Sequence, residues 1–293
     1  MGDLLFVGLF DAAAYLPDVP GYVDFPGSAG NYLSTPDATA LDIAGDLCIV
    51  TKLAADNYAT GLYQCIVTKS TITYRLFIGP TGELYISWYH LDGTTFRSAQ
   101  STAMSSVITG LTGGQPIWIA VTVDVDNGAS GSSTRFWVSS DTTDDPTAVT
   151  WTQLGSTNTI AGISSFYNST TSLEMGGEGA GVSYPFGGNV KHLSVRNGVG
   201  AGGVVGGTEV FKFGPENIPI NTANSFVAAT GQTVTVNRSA GEPKTLLVPT
   251  DRHNMPVLFG TAGPAFTDTA CTGSPRLSAT STSSTPTSLA VTK

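Results

Sequence analysis

From Ile117 to Val125 every second residue is aliphatic: Ile117, Ile119, Val121, Val123 and Val125. Trp118, Ala120, Thr122 and Asp124 fall between them. Period two predicts a strand with one face on a core. After the Gly/Ser-rich turn, Thr134, Phe136 and Val138 resume one face, and Arg135 and Trp137 take the other. The same pattern brackets Gly79-Pro80-Thr81-Gly82, a strong turn signal. Tyr74, Leu76 and Ile78 precede it and Leu84, Ile86 and Trp88 follow; Arg75, Phe77, Tyr85 and Tyr89 lie on the opposite faces.

Shorter strands are predicted in "YVDFPGSAGNYLSTPD", "VTWTQLG", "SLEMGG", "GNVKHLSVRNG" and "SFVAATGQTVTVNRS". In "GNVKHLSVRNG", Val190, His192, Ser194 and Arg196 alternate with Lys191, Leu193 and Val195. The pentapeptide CIVTK occurs at 48–52 and again at 65–69, which suits two neighbouring antiparallel strands. About a dozen short strands with almost no helix predict an all-β, two-sheet antiparallel sandwich, with a jelly roll as the expected topology. Residues 1–21 read as an N-terminal docking arm, 22–248 as the sandwich, and 249–293, rich in Ser and Thr, as an extended C-terminal segment. "GVGAGGVVGG" (198–207) reads as a flexible turn. It spells G-x-G-x-x-G, but a dinucleotide site needs a helix after the motif, and none is predicted.

Composition narrows the functional classes. Only 12% of residues are charged, about half the usual share, while Gly is abundant, as short strands and tight turns require. The net charge is −9 with no Lys/Arg cluster, so nucleic acid is not an expected partner. No apolar run is long enough to predict membrane insertion. "MGDLLFVGLF" lacks a basic n-region and a small-residue cleavage site, so no secretory signal is read there. Cys48 and Cys65 sit in apolar runs and read as buried free thiols, with a Cys48–Cys65 bridge as the alternative; Cys271 makes the count odd. His90, His192 and His253 are isolated and read as ordinary packed or surface side chains.

The order of these signals carries a resemblance. "FPGSAGNYLSTPD" precedes "LDIAGDLCIVTKLA"; "YRLFIGPTGELYISW", "WIAVTVDVDNG…TRFWVSSD…WTQLG", "GGNVKHLSVRNG" and "SFVAATGQTVTVNRS" follow in turn. Over residues 22–240 the chain resembles the laminin-G-like, concanavalin A-like jelly-roll domains in minor tail proteins of tailed bacteriophages, particularly those of actinobacteria. The resemblance implies a non-enzymatic virion structural protein, made in the host cytoplasm and placed on the tail near its tip. It implies other virion proteins as partners, homo-oligomerisation, and a host cell-envelope glycan as a ligand. A capsid decoration or head-fibre protein is the alternative within that fold, and a polysaccharide-degrading enzyme the alternative outside it.

Candidate chemistry concentrates at two places. Asp124 and Asp126 sit at the lip of a turn and admit three readings. Retaining glucanases of similar fold place paired glutamates in E-x-D-x-E on one strand; that triplet is missing, so no catalytic residue is assigned. The laminin-G resemblance implies Ca2+ at a loop rim, with Asp124, Asp126 and Asn127 as the oxygen ligands available. The plainer reading is a hairpin corner, because Asp, Asn and Gly are what such a turn demands; no other cofactor is expected. The second place is the outward set Arg75, Phe77, Tyr85, Tyr89, Trp118, Arg135 and Trp137, an aromatic and guanidinium surface suited to sugars or to a subunit interface. A one-residue register slip would invert every one of these side chains.

Overall fold

The computed structural model describes residues 21–70, 72–218 and 224–239, with short strands at 247–248, 276–279 and 289–292. The chain divides into two compact units, Met1–Thr250 and Asp251–Lys293. Strands are numbered along the chain. In neighbour order, the first sheet contains β10 (Thr152–Gln153), β9 (Gly131–Ser139), β8 (Ile117–Asp124), β3 (Leu47–Ala55), β13 (Gly187–Asn197), β1 (Tyr22–Pro26) and β17 (Leu247–Val248). To it β11 (Asn158–Ala161) adds on β9 and β14 (Thr208–Phe213) on β13. The second sheet contains β15 (Ser225–Val227), β16 (Thr233–Asn237), β2 (Tyr32–Thr35), β12 (Leu173–Met175), β4 (Gln64–Lys69), β5 (Tyr74–Ile78), β6 (Glu83–Tyr89) and β7 (Phe96–Ala103).

Neighbouring strands in both sheets are antiparallel. The unit is an all-β, two-sheet jelly-roll sandwich, and no α-helix occurs among the described residues. In the second unit β18 (Arg276–Ala279) pairs antiparallel with β19 (Leu289–Thr292), within the segment expected to be extended. The expected arm at 1–21 lies, but for Gly21, outside the described residues.

The alternating aliphatics form the core as their period dictates. Ile117, Ile119, Val121 and Val123 of β8 meet Leu76, Ile78, Leu84 and Ile86 of the second sheet within one buried cluster. Trp88 is buried there against Phe166, and its indole N–H donates to Ser164 Oγ at 3.1 Å.

Two expectations are corrected. The CIVTK copies are not neighbours: β3 pairs with β8 and β13, whereas β4 pairs with β5 and β12. The chain crosses between sheets in the loop between them, because each strand buries one face on the same core. Cys48 and Cys65 therefore belong to opposite sheets, and both are free and buried, which removes the bridge. The copies also differ in phase. A bulge between Cys65 and Val67 shifts the register, so Lys69 pairs with core-facing Tyr74, while Lys52 points outward over Trp118. The second correction concerns β13. A bulge between Val190 and His192 puts Val190 in the core together with Leu193 and Val195 and sends His192 outward, breaking the strict alternation.

Candidate functional site

The seven outward candidates do not share one surface. Arg75, Phe77, Tyr85 and Tyr89 lie on the outer face of the second sheet, and Trp118, Arg135 and Trp137 on the outer face of the first. The sandwich core separates the two groups. Sequence alternation assigns a side chain to a face but not a strand to a sheet, so it merged them.

The outer face of the first sheet is covered. Cys48, Val50, Trp118 and Ala120 form a second buried cluster, with Trp137, Val149, Trp151, Val199 and Val205 packed against it. Lys52 pins one covering loop: its Nζ donates to Thr142 O at 2.8 Å, Thr143 O at 2.6 Å and Asp144 Oδ1 at 2.6 Å. The Trp118 indole N–H donates to Thr143 O at 3.0 Å, so the whole side chain is hidden. The glycine-rich stretch at 198–207 is a second cover, closed by a Gly200–Val204 bridge and held by Thr122 Oγ1 donating to Gly203 O at 2.8 Å. A strand, β14, follows it, so its glycines lack the helix a dinucleotide needs. Arg135 Nε donates to Thr157 Oγ1 at 3.1 Å, and Trp137 Nε1 to Thr122 Oγ1 at 3.3 Å. Trp118, expected to face outward to a ligand, is interior.

The outer face of the second sheet is covered in part by the 176–186 excursion and carries a compact aromatic patch. Phe77 and Tyr85 are cross-strand partners, their ring centroids 6.3 Å apart. Tyr63 stands 5.9 Å from Phe77 and 5.5 Å from Tyr85, while Tyr184 lies 5.4 Å from Phe77 and 6.2 Å from Tyr63. Phe77, also expected to face a ligand, is buried at 3% exposure and forms the floor. Tyr184 is 44% exposed, and Leu62 and Val182 on the flanking loops are 72% and 67% exposed. Tyr89 sits apart from this patch and pairs with Phe96 at 5.4 Å.

The excursion 176–186 sets Tyr184. It folds back through paired backbone bonds between Glu178 and Ser183, and its Tyr184 carbonyl accepts the Cys65 N–H at 2.8 Å. Tyr184 has φ of +52°, a left-handed conformation that costs a non-glycine residue about 1–2 kcal/mol. Arg75 braces the patch from beneath. Its guanidinium lies 5.6 Å from the Phe77 ring, Nε donates to Ser87 Oγ at 3.1 Å, and Nη1 meets Glu178 Oε1 at 3.3 Å. Glu174 accepts the Ala180 N–H, and burial, reinforced by Glu178, raises its pKa. Burial also raises the Tyr63 phenol, with Tyr85, Glu83 and Tyr184 adding to the effect.

Sequence patterning missed Tyr63 and Tyr184, which lie in loops without periodicity. The available signals were Leu62-Tyr63 closing the polar loop "ADNYATG" and a lone Tyr in "GEGAGVSYPFGG".

At the opening hairpin, Asp126 Oδ1 accepts the Gly128 N–H at 3.2 Å and Asn127 Oδ1 the Ala129 N–H at 2.9 Å. Burial and neighbouring Asp46 raise the Asp124 pKa. Calcium at this corner would compete for the oxygens that close the turn. Among the described residues no group of three or more His, Cys, Asp and Glu side chains is placed to hold a metal ion.

No protein-family model matches the chain, and no curated protein matches it in sequence. Solved structures match in architecture. The CBM40 module of a Ruminococcus gnavus sialidase, bound to α2,3-sialyllactose, aligns at 14% identity and a TM-score of 0.42, over 64% of this chain and 99% of that one. A heptameric pentraxin from Limulus polyphemus aligns at 11% identity and a TM-score of 0.40, over 78% of this chain and all of that one. The binding domain of botulinum neurotoxin DC aligns at 7% identity and a TM-score of 0.33, over 61% of this chain and 48% of that one.

Proposed function

We propose that this chain is a non-catalytic recognition protein that binds carbohydrate through the Tyr63–Tyr85–Tyr184 patch. The observation that carries the reading is that patch: three tyrosines meet over a buried Phe77 on an otherwise polar sheet face. Tyrosine rings offer π faces to pyranose C–H groups, and their hydroxyls can bond sugar hydroxyls. The left-handed φ of Tyr184 supports a binding role, since such strain persists where surrounding structure enforces it and clusters at functional sites. Glu174 and Glu178 do not make a hydrolase pair, because Glu178 is 5% exposed and held by Arg75 while Glu174 caps a turn. The resemblance to phage jelly rolls supports placement on a virion, as a minor tail protein near the tip, oligomeric and facing the host envelope.

The test is Tyr184→Ala in the full chain. Binding to host-envelope glycan falls at least about tenfold, while the chain stays folded with a modestly lower melting temperature from the lost ring contacts to Phe77 and Tyr63. Unchanged binding refutes the patch. Immunogold labelling of purified virions checks the location: gold over the head instead of the tail tip selects the decoration alternative, and release of reducing sugar ends would select the enzyme.

A further inference from the structure

The charges around the patch bear on its ligand. Arg75 is the one cationic residue at an outward register position of β4, β5, β6 and β7 among the described residues. Lys69 and Arg97 pair with the core-facing Tyr74 and Trp88 and so lie on the inner side. Arg75 is already committed to Glu178, Ser87 and the Phe77 ring. Three carboxylates lie on or beside this face. Glu178 is the partner of Arg75, Glu83 is bound by Thr81 and Gln100, and Glu174 sits under the 179–181 turn. Glu83 acts on Tyr63 and Glu174 on Tyr32, each adding to the effect of burial in raising the phenol's pKa. The whole chain carries a net charge of −9.

We infer that the patch selects neutral glycans and rejects those carrying carboxylate, sulfate or phosphodiester groups. This rests on the carbohydrate reading of the same patch. An anionic sugar placed on Tyr63 and Tyr184 meets an excess of carboxylates and no unpaired guanidinium or ammonium; a neutral hexose meets the ring faces, the tyrosine hydroxyls and the flanking Leu62 and Val182. Discrimination comes from repulsion of the wrong ligand as much as from attraction of the right one. Because the patch is solvated, the repulsion is screened by salt.

The full chain is tested on oligosaccharides matched in backbone, each neutral member paired with the same backbone bearing sialic acid, a uronic acid or a phosphodiester. Neutral members bind, and their acidic partners bind about tenfold more weakly at low salt, with the gap closing as salt rises. Glu174→Gln, which keeps an acceptor for Ala180, raises acidic-member binding about threefold by removing one charge at a distance. Tyr63→Ala removes binding of the neutral members. Acidic members bound as well as neutral ones at low salt overturn the charge rule while leaving the carbohydrate reading intact. No member bound by the folded chain overturns both, and neutral binding that survives Tyr63→Ala moves the site elsewhere and overturns the inference with it.

Discussion

Acidification should loosen the covered face of the first sheet, and His192 sets the pH at which it does so. The imidazole is 2% exposed, with its ring centroid 5.2 Å from that of Trp118. Burial first, then the charges of Lys212 and Arg196, depress its pKa from 6.5 to about 3; Lys52 adds to this and Asp144 opposes it. The unfolded chain binds the proton near the ordinary value, while the folded chain refuses it until far lower pH. Between the two values the unfolded state carries the extra proton, so stability falls as pH falls. The contribution is complete above the ordinary histidine value and is lost progressively down to the depressed one. At about pH 4.5 the loss is about 3 kcal/mol, roughly two pKa units at about 1.4 kcal/mol each. Asp24, Asp124 and Glu174, raised chiefly by burial, act in the opposite sense, because each binds its proton more readily when folded. His192→Phe keeps a ring against Trp118 and removes the titration, so comparison with it cancels the carboxylates. Urea unfolding at about pH 7.5 and about pH 4.5 should show the unsubstituted chain losing about 3 kcal/mol more than the variant. Parallel losses in the two proteins would refute the reasoning, since they would mean that the folded interior accepts the imidazolium.

Two further outcomes follow from the duplicated pentapeptide. Lys69 is fully buried, its Nζ 2.9 Å from Asp37, 3.0 Å from Asp42, 3.2 Å from Asn168 Oδ1 and 2.7 Å from Ser169 O, so Lys69→Met strands two carboxylates and should cost about 3–5 kcal/mol in urea unfolding; a loss below about 1 kcal/mol would show that the ammonium is dispensable. Burial pushes the Cys48 thiol up to about 11 and the Cys65 thiol well above its ordinary value, so in a Cys271→Ser background neither should react with a thiol reagent until denaturant is added, and rapid native labelling would contradict their burial.

The sequence patterning legible here is local. Ile117–Val123 and the flanks of Gly79–Gly82 read as strands because their side chains report only which face meets the core. Sheet membership depends on hydrogen-bond partners far along the chain. Identical copies of CIVTK could therefore be taken as neighbours while lying in opposite sheets. Phase is lost wherever a residue is inserted, as at Ile66 and Lys191, and the sequence carries no mark of either bulge. Tyr63 and Tyr184 stayed hidden for a related reason. Each is positioned by turn backbone, in Tyr184 with a positive φ that non-glycine residues rarely adopt.

The two outer faces differ in what covers them. Outward positions of β3 and β8 include Cys48, Val50, Trp118 and Ala120, an apolar set that would be unfavourable in water, and two loops close over it. Lys52 then serves as a fastener for the cover: its ammonium accepts no hydrogen bond and can reach three oxygens of one loop at once. Outward positions of β4, β5, β6 and β7 include Thr68, Arg75, Ser87, Ser98 and Gln100; the 176–186 excursion covers part of this face, where Cys65, Thr68 and Ser87 are buried, and leaves Gln100 and part of Tyr85 exposed. Against that polar ground, Tyr63, Tyr85 and Tyr184 are not explained by the demands of the sandwich core, which Leu76, Ile78, Leu84 and Ile86 already fill from the opposite side of the same strands. That surplus of rings, with Tyr184 held at a positive φ, is the reason the proposed binding surface is placed here.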